Sequence, residues 1–267
     1  MHVRKNRVKQ VLRDGGVAIG TNIFEFGTTG IARIAAAAGA DFVLFDMEHT
    51  GWSIETIRML IASTGGLDLV PVVRPPALQY HLLSVPLDMG AMGLFISMVE
   101  TEEQAREIVH FSKYPPEGVR GAAFGFAHDD YRGGDVGAKM RSANDELLLA
   151  ALVETGKGAE NADRIAGVPG IDLLWVGQFD LTNSLGIPGQ FTHPHFLRAV
   201  DGILEACDRH GKAAGFMATS IEEGHALLKQ GFRCLEYWGD SFIYRQALSE
   251  AISGLKKGVA SQNVLSH

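Results

Sequence analysis

Four stretches of this sequence follow one pattern: a helical segment, a glycine, then a largely apolar run. They are AAAAGADFVLFD (35–46), LDMGAMGLFIS (87–97), AGVPGIDLLWVG (166–177) and LKQGFRCLEYWG (228–239). The glycine supplies the left-handed backbone that ends a helix. The run behind it is apolar without strict alternation, as a strand covered on both faces must be. Alternation of helix and doubly covered strand specifies a parallel sheet. Carried along the chain, the pattern gives eight strands, at 17–21, 42–46, 70–74, 93–97, 148–153, 173–176, 213–217 and 234–237. Eight βα units in 267 residues predict an α/β chain folded as one domain over 1–267, a closed (β/α)8 TIM barrel. A short amphipathic helix around Val8, Val11 and Leu12 precedes it. The last helix, about 241–256, leaves Phe242, Ile243, Leu248, Ile252 and Leu255 uncovered, and is expected to pack on a neighbouring subunit of a homo-oligomer.

Helix starts fall where the barrel needs them. Ser53 precedes the stripe Ile54, Ile57, Leu60 and Ile61, Thr101–Gln104 and Ser220–Glu223 read as capping boxes, and His193-Pro194 places proline at a first helical position. The interval 113–145 breaks the rhythm with glycine, proline and charge, and reads as a functional loop over one end of the barrel.

Acidic residues outnumber basic ones, 31 to 24, which argues against a nucleic-acid partner and for small-molecule chemistry. The longest apolar run of the second half, Leu147–Val153, has seven residues, against about 20 for a membrane helix, so no membrane partner is expected. Cys207 and Cys234 form no metal-binding spacing and read as buried free thiols in a reducing, cytoplasmic setting. Neither the dinucleotide fingerprint nor the P-loop is present, and no Ser/His/Asp or Cys/His nucleophile signature appears.

In such a barrel the chemistry sits where strands end at their C-termini. Those positions carry Asp46, Glu48 and His49 after the second strand, Arg74 at the third, Glu154 after the fifth and Asp180 after the sixth. Glu154 and Asp180 follow adjacent strands, and an oxygen-only pair suits a hard divalent cation; the competing reading makes each a helix cap or a surface acid. Arg74, stopped by Pro75-Pro76, needs an anionic partner, either a substrate or a structural carboxylate such as Asp88. His49 reads as a general base or as a satisfied structural histidine.

Eight segments, taken in order, resemble the HpcH/HpaI family of class II pyruvate aldolases. They are GTNIFEFG (20–27), DFVLFDMEH (41–49), VPVVRPP (70–76), LDMGAMGLFISMVETEEQA (87–105), KYPPEGVRG (113–121), ALVETGKG (151–158), GIDLLWVGQFDLTNSLG (170–186) and GKAAGFMA (211–218). The resemblance implies that Glu154 and Asp180 hold a divalent metal ion, Mg2+, Mn2+ or Co2+. It implies that Arg74 stabilises the enolate of a 2-oxo acid, pyruvate or hydroxypyruvate, and that His49 paired with Asp88 moves the 4-hydroxyl proton. The backbone of Gly177, Gln178, Phe179 and Asp180 would receive the substrate carboxylate. The products would be the 2-oxo acid and an aldehyde, and the assembly a hexamer built as a trimer of dimers. The same superfamily includes lyases and decarboxylases acting on oxaloacetate-like acids or CoA thioesters, which stand as the alternative; a barrel that only binds an acidic metabolite is the non-enzyme one. Leu152, where many members carry glutamine, and Trp52 at the expected rim predict a smaller or less polar acceptor aldehyde than sugar-acid aldolases take. Gln178 and Ser97 each stand in place of a proline.

Overall fold

The computed structural model describes residues 4–264, with side chains to residue 257. Its strands are β1 (Ala18–Ile23), β2 (Phe42–Asp46), β3 (Val70–Arg74), β4 (Gly93–Ile96), β5 (Leu148–Val153), β6 (Leu173–Val176), β7 (Ala213–Ala218) and β8 (Cys234–Gly239). Each pairs in parallel with the next, and β8 returns to β1, closing the barrel in sequence order. The expected TIM barrel is therefore the fold, and no expected strand is missing. Gly39, Gly90, Gly170 and Gly231, the glycines of the four repeated junctions, all have positive φ, between 88° and 108°.

Period-two alternation divides the strand side chains between two cores. One set, including Phe42, Leu44, Val72, Phe95, Leu152, Leu173 and Trp175, fills the barrel interior. The other, including Val43, Phe45, Val73, Leu94, Leu149, Val153 and Leu174, faces the helix ring. The helix Arg7–Arg13 contributes Val8 and Leu12 to the interior set, so it plugs the N-terminal end of the barrel. Asn6 caps that helix, and its amide also donates to the Met92 and Glu146 carbonyls, 2.8 and 3.0 Å away. Among the described residues no helix plugs the C-terminal end in this way.

Three helix starts behave as their sequences predict: Ser53 and Thr101 cap the following turns, Thr101 within a full capping box, and Pro194 opens its helix. At Ser220 the box is half formed. Ser220 accepts from the Glu223 amide, but the Glu223 carboxylate turns to the amide and hydroxyl of Thr219.

Two segments differ from expectation. The interval 113–145 links the helix Glu102–Ser112 to β5, so it covers the N-terminal end, opposite the strand ends that carry the chemistry. It contains a 3₁₀ turn, Ala127–Asp129, and most of a helix, Val136–Glu146, tied by a buried Lys139–Asp129 ion pair of 2.6 Å. A cavity of about 490 Å3 lies against it, lined by residues including Arg4, Thr64, Met92 and His128. The last helix runs Asp240–Val264, longer than the sequence pattern indicated, because the polar run after Lys256 holds no proline to stop it. Residues 265–267 lie outside the described residues.

Candidate active site

Inward-facing residues near the C-terminal ends of the strands build one open-mouthed cavity of about 470 Å3. Its base is apolar, with Phe95 and Trp175 in ring contact at 5.1 Å beside Leu44 and Leu152. Trp175 fits because β7 carries Gly215 opposite it; a Cβ there would lie 2.2 Å from the indole. Polar groups enter this apolar cup from the strand termini; Asp46, Arg74, Glu154 and Glu236 are shielded from bulk water, so their charges act strongly, whereas His49 and Asp180 stand exposed at the mouth.

Arg74, the last residue of β3, is held by the last residue of β2. Its Nε and Nη2 donate to the two oxygens of Asp46 at 2.9 and 2.6 Å, and Nη1 lies 3.3 Å from Glu48. Register explains the match, since Asp46 and Arg74 are paired residues of adjacent strands. Burial disfavours the cation, but the bonds to Asp46 and the charges of Asp46, Glu48 and Glu236 outweigh it and raise the Arg74 pKa. The bonds to Asp46 engage Nε and one hydrogen of Nη2; the second Nη2 hydrogen and Nη1, which lies against Glu48, are not engaged by Asp46. The structural partner of Arg74 is thus Asp46, not Asp88.

Glu154 follows β5 and is buried, its Oε1 accepting the Met98 amide at 2.8 Å. Gly177 leaves room for it, because a Cβ at that position would sit 2.4 Å from Glu154 Cγ. Burial, reinforced by the charges of Glu48 and Asp180, pushes the Glu154 carboxyl up to about 7 against the opposing pull of Arg74 and the Met98 amide. Asp180 lines the same cavity from the first turn of the helix Gln178–Ser184. Two crowded carboxylates with only oxygen to offer fit a hard divalent cation, which would relieve their repulsion. Among the described residues no three His, Cys, Asp or Glu side chains converge as a full ligand cage, so a cation here would keep positions for water and substrate.

His49 stands at the mouth, with its side chain 59% exposed and Nε2 3.8 Å from Glu48. Glu48 is fixed in turn by the Ser97 hydroxyl, which donates at 2.6 Å. Gly177, Gln178, Phe179 and Leu152 also line the cavity, and Gln178 donates to the Met217 carbonyl at 3.2 Å.

Two expected site residues are elsewhere. Asp88 ends the helix Tyr80–Asp88, which runs back toward the N-terminal end of the barrel, and pairs there with Arg120 at 2.6 Å. Within the chain it does not meet His49. Trp52 is outside the cavity lining; its indole packs on the outer core beside Gly27, because the turn after His49 carries it away from the mouth. The inference of a less polar acceptor therefore retains Leu152 alone.

Three residues escaped the sequence reading. Asn22 of β1 and Glu236 of β8 are buried in the cavity wall. Asp240, just past β8, accepts the amides of Phe24, Glu25 and Phe26, holding the end of β1 against β8. The signal for Glu236 was available, since an ionisable side chain stands at an inward position of an otherwise apolar run.

Comparison with known proteins follows the same lines. Residues 27–246 match the family described as HpcH/HpaI aldolase/citrate lyase. The 2-keto-3-deoxy-L-rhamnonate aldolase of Escherichia coli K12 is 35% identical over 254 residues, covering 95% of this chain and 94% of the relative. The enzyme of the same name from Klebsiella pneumoniae is 36% identical over 230 residues, 86% of each chain. The crystal structure of an HpcH/HpaI aldolase from Desulfitobacterium hafniense superposes with a TM-score of 0.89 at 29% identity, covering 93% of this chain and 96% of that one. By length matched, by relatives and by fold, the chain belongs to the HpcH/HpaI aldolase/citrate lyase family and is a carbon–carbon lyase.

Proposed function

We propose that the protein is a divalent-metal-dependent aldolase that reversibly cleaves a 4-hydroxy-2-oxo acid to pyruvate, or hydroxypyruvate, and an aldehyde. The observation that carries this reading is the convergence of Arg74, Glu154, Asp180 and His49 on one cavity at the C-terminal barrel mouth. Glu154 and Asp180 would hold Mg2+, Mn2+ or Co2+, which when bound supplies a Lewis-acid charge to the substrate's keto and carboxylate oxygens. Arg74, immobilised by Asp46, directs its remaining Nη hydrogens at the keto oxygen, where charge develops as the carbon–carbon bond breaks. His49 takes the proton of the 4-hydroxyl, and the backbone from Gly177 to Asp180 receives the substrate carboxylate.

Asp88 can meet His49 only from a neighbouring copy of the chain, because the two residues occupy opposite ends of one barrel. An intersubunit pair is consistent with a homo-oligomer, a hexamer arranged as a trimer of dimers, in the cytoplasm. Among the described residues no helix is long and apolar enough to cross a membrane.

The test is pyruvate release from a panel of 4-hydroxy-2-oxo acids by EDTA-treated protein, before and after Mg2+ or Mn2+ is restored. Release should return with the metal and fall by roughly three orders of magnitude in Glu154→Ala. Release unaffected by EDTA would overturn the metal assignment. No release with any metal, alongside turnover of oxaloacetate or a CoA thioester, would move the chain to the lyase and decarboxylase branch of its family.

A further inference from the structure

The cavity wall contains a polar pair that the proposed cleavage does not use. Glu236 occupies an inward position of β8 and is 2% exposed; Asn22, on the neighbouring strand β1, is 3% exposed. Glu236 Oε1 and Asn22 Oδ1 both lack a hydrogen-bond partner, and both residues line the cavity. The two flank one seam of the barrel: Glu236 is in register with Gly20, and Asn22 with Gly239. Cavity positions on the other strands include the apolar Leu44, Phe95 and Leu152, with Arg74 a charged neighbour of Glu236.

Buried polar atoms without partners are costly, on the order of 1–3 kcal/mol each, and are uncommon in folded proteins. Two of them facing one cavity form a recognition element awaiting a ligand. Their chemistry specifies that ligand. Asn22 Oδ1 accepts and needs a donor. Burial, together with the Asp46 carboxylate and against the pull of Arg74, raises the Glu236 carboxyl to about 8, so at neutral pH it carries a proton and can donate. The group that donates to one oxygen and accepts from the other is an alcohol.

We propose that Asn22 and Glu236 form a neutral polar subsite that binds a hydroxyl on the substrate's carbon chain beyond the reacting centre, making the enzyme selective for hydroxylated substrates. The inference rests on the aldolase reading and reverses the expectation of a less polar acceptor. Leu152 removes a polar group from one wall, whereas Asn22 and Glu236 place two on another. The hydroxyl has two sources, the aldehyde fragment or the oxo-acid donor, and both fit the same pair of atoms.

The experiment uses the full chain with Mg2+ present and measures binding by calorimetry and pyruvate release separately. One pair of ligands is 4-hydroxy-2-oxopentanoate against 4,5-dihydroxy-2-oxopentanoate, which differ by a hydroxyl on the aldehyde fragment. The other is pyruvate against hydroxypyruvate, which differ by a hydroxyl on the donor. At least about tenfold tighter binding of the hydroxylated member is expected in one pair, and the pair identifies the source. That preference should shrink to about twofold in Glu236→Met and in Asn22→Leu, and persist in Glu236→Gln, which keeps a neutral donor and acceptor. Both apolar variants remove an unpaired buried group and are expected to melt no lower than the parent protein. Equal binding within both pairs, or a preference that survives Glu236→Met and Asn22→Leu, overturns the subsite. A preference without pyruvate release from any compound leaves the subsite standing and overturns the aldolase reading instead.

Discussion

The two raised carboxyls of the cavity have a consequence for stability. With Glu236 raised to about 8, the folded protein holds a proton that the unfolded chain, near 4.5, has released. Between those values the native state binds more protons, so stability is greatest below about pH 4.5 from this group and declines as pH climbs through 8. Glu154, raised to about 7, adds the same sign over a narrower window. Urea unfolding with EDTA present should therefore show stability falling from pH 5 to 8 by a few kcal/mol, and Glu236→Gln should flatten the slope. Gly177 carries a second prediction at this scale. Gly177→Ala would drive Glu154 from its position, since the new Cβ falls 2.4 Å from Cγ, and should lower pyruvate release at least about tenfold while the far-ultraviolet spectrum stays unchanged. Individual side chains were legible in the sequence when they stood at a strand's end, as Arg74, Glu154 and Asp180 do. They were hidden when their role depends on the direction of a turn, as with Trp52, or on what lies opposite in the barrel, as with Asn22; Glu236 was marked by its charge within an apolar run.

Strands were the most legible elements, because double burial writes a continuous apolar run and glycine marks where each helix stops. Four of the eight strands carry the expected boundaries, at 42–46, 70–74, 148–153 and 173–176. The others differ by one or two residues at a terminus, most at β1 and β8, where the register shifts between Gly20 and Asn22. At that seam Asp240 does the work that regular pairing does elsewhere, its carboxylate satisfying three successive amides of the segment after β1. Asp240→Ala orphans those amides and should cost about 2–3 kcal/mol, read as a drop of roughly 4–12 °C in melting temperature. The helix Asp240–Val264 shows how far element boundaries follow from sequence: its start was close to expectation, and its end was not, for want of any stop signal.

At the scale of the molecule, the closed barrel was fixed by the count of βα units, but the placement of the 113–145 segment was not. Its composition marked it as irregular, and only the connection from helix to strand assigns it to the N-terminal face. Oligomer assembly belongs to this scale as well. Tyr244, Leu248, Ile252 and Leu255 recur at three- and four-residue spacing along one stripe of the last helix, between 41% and 73% exposed. If that stripe joins subunits, Leu248→Glu with Ile252→Glu should shift the mass measured by light scattering toward the monomer. Activity should then fall with it if Asp88 reaches His49 across the interface; a full-activity monomer would separate catalysis from assembly. The seam that pairs Ala18 with Cys234 has a further meaning for how the protein comes into being. The first strand must wait for the last, so any sheet formed before β8 is in place would be open, with two exposed edges and a cavity lacking the wall that β8 supplies. The pocket comes into existence in the step that closes the sheet, so a cell has no half-built form of this enzyme with half its selectivity.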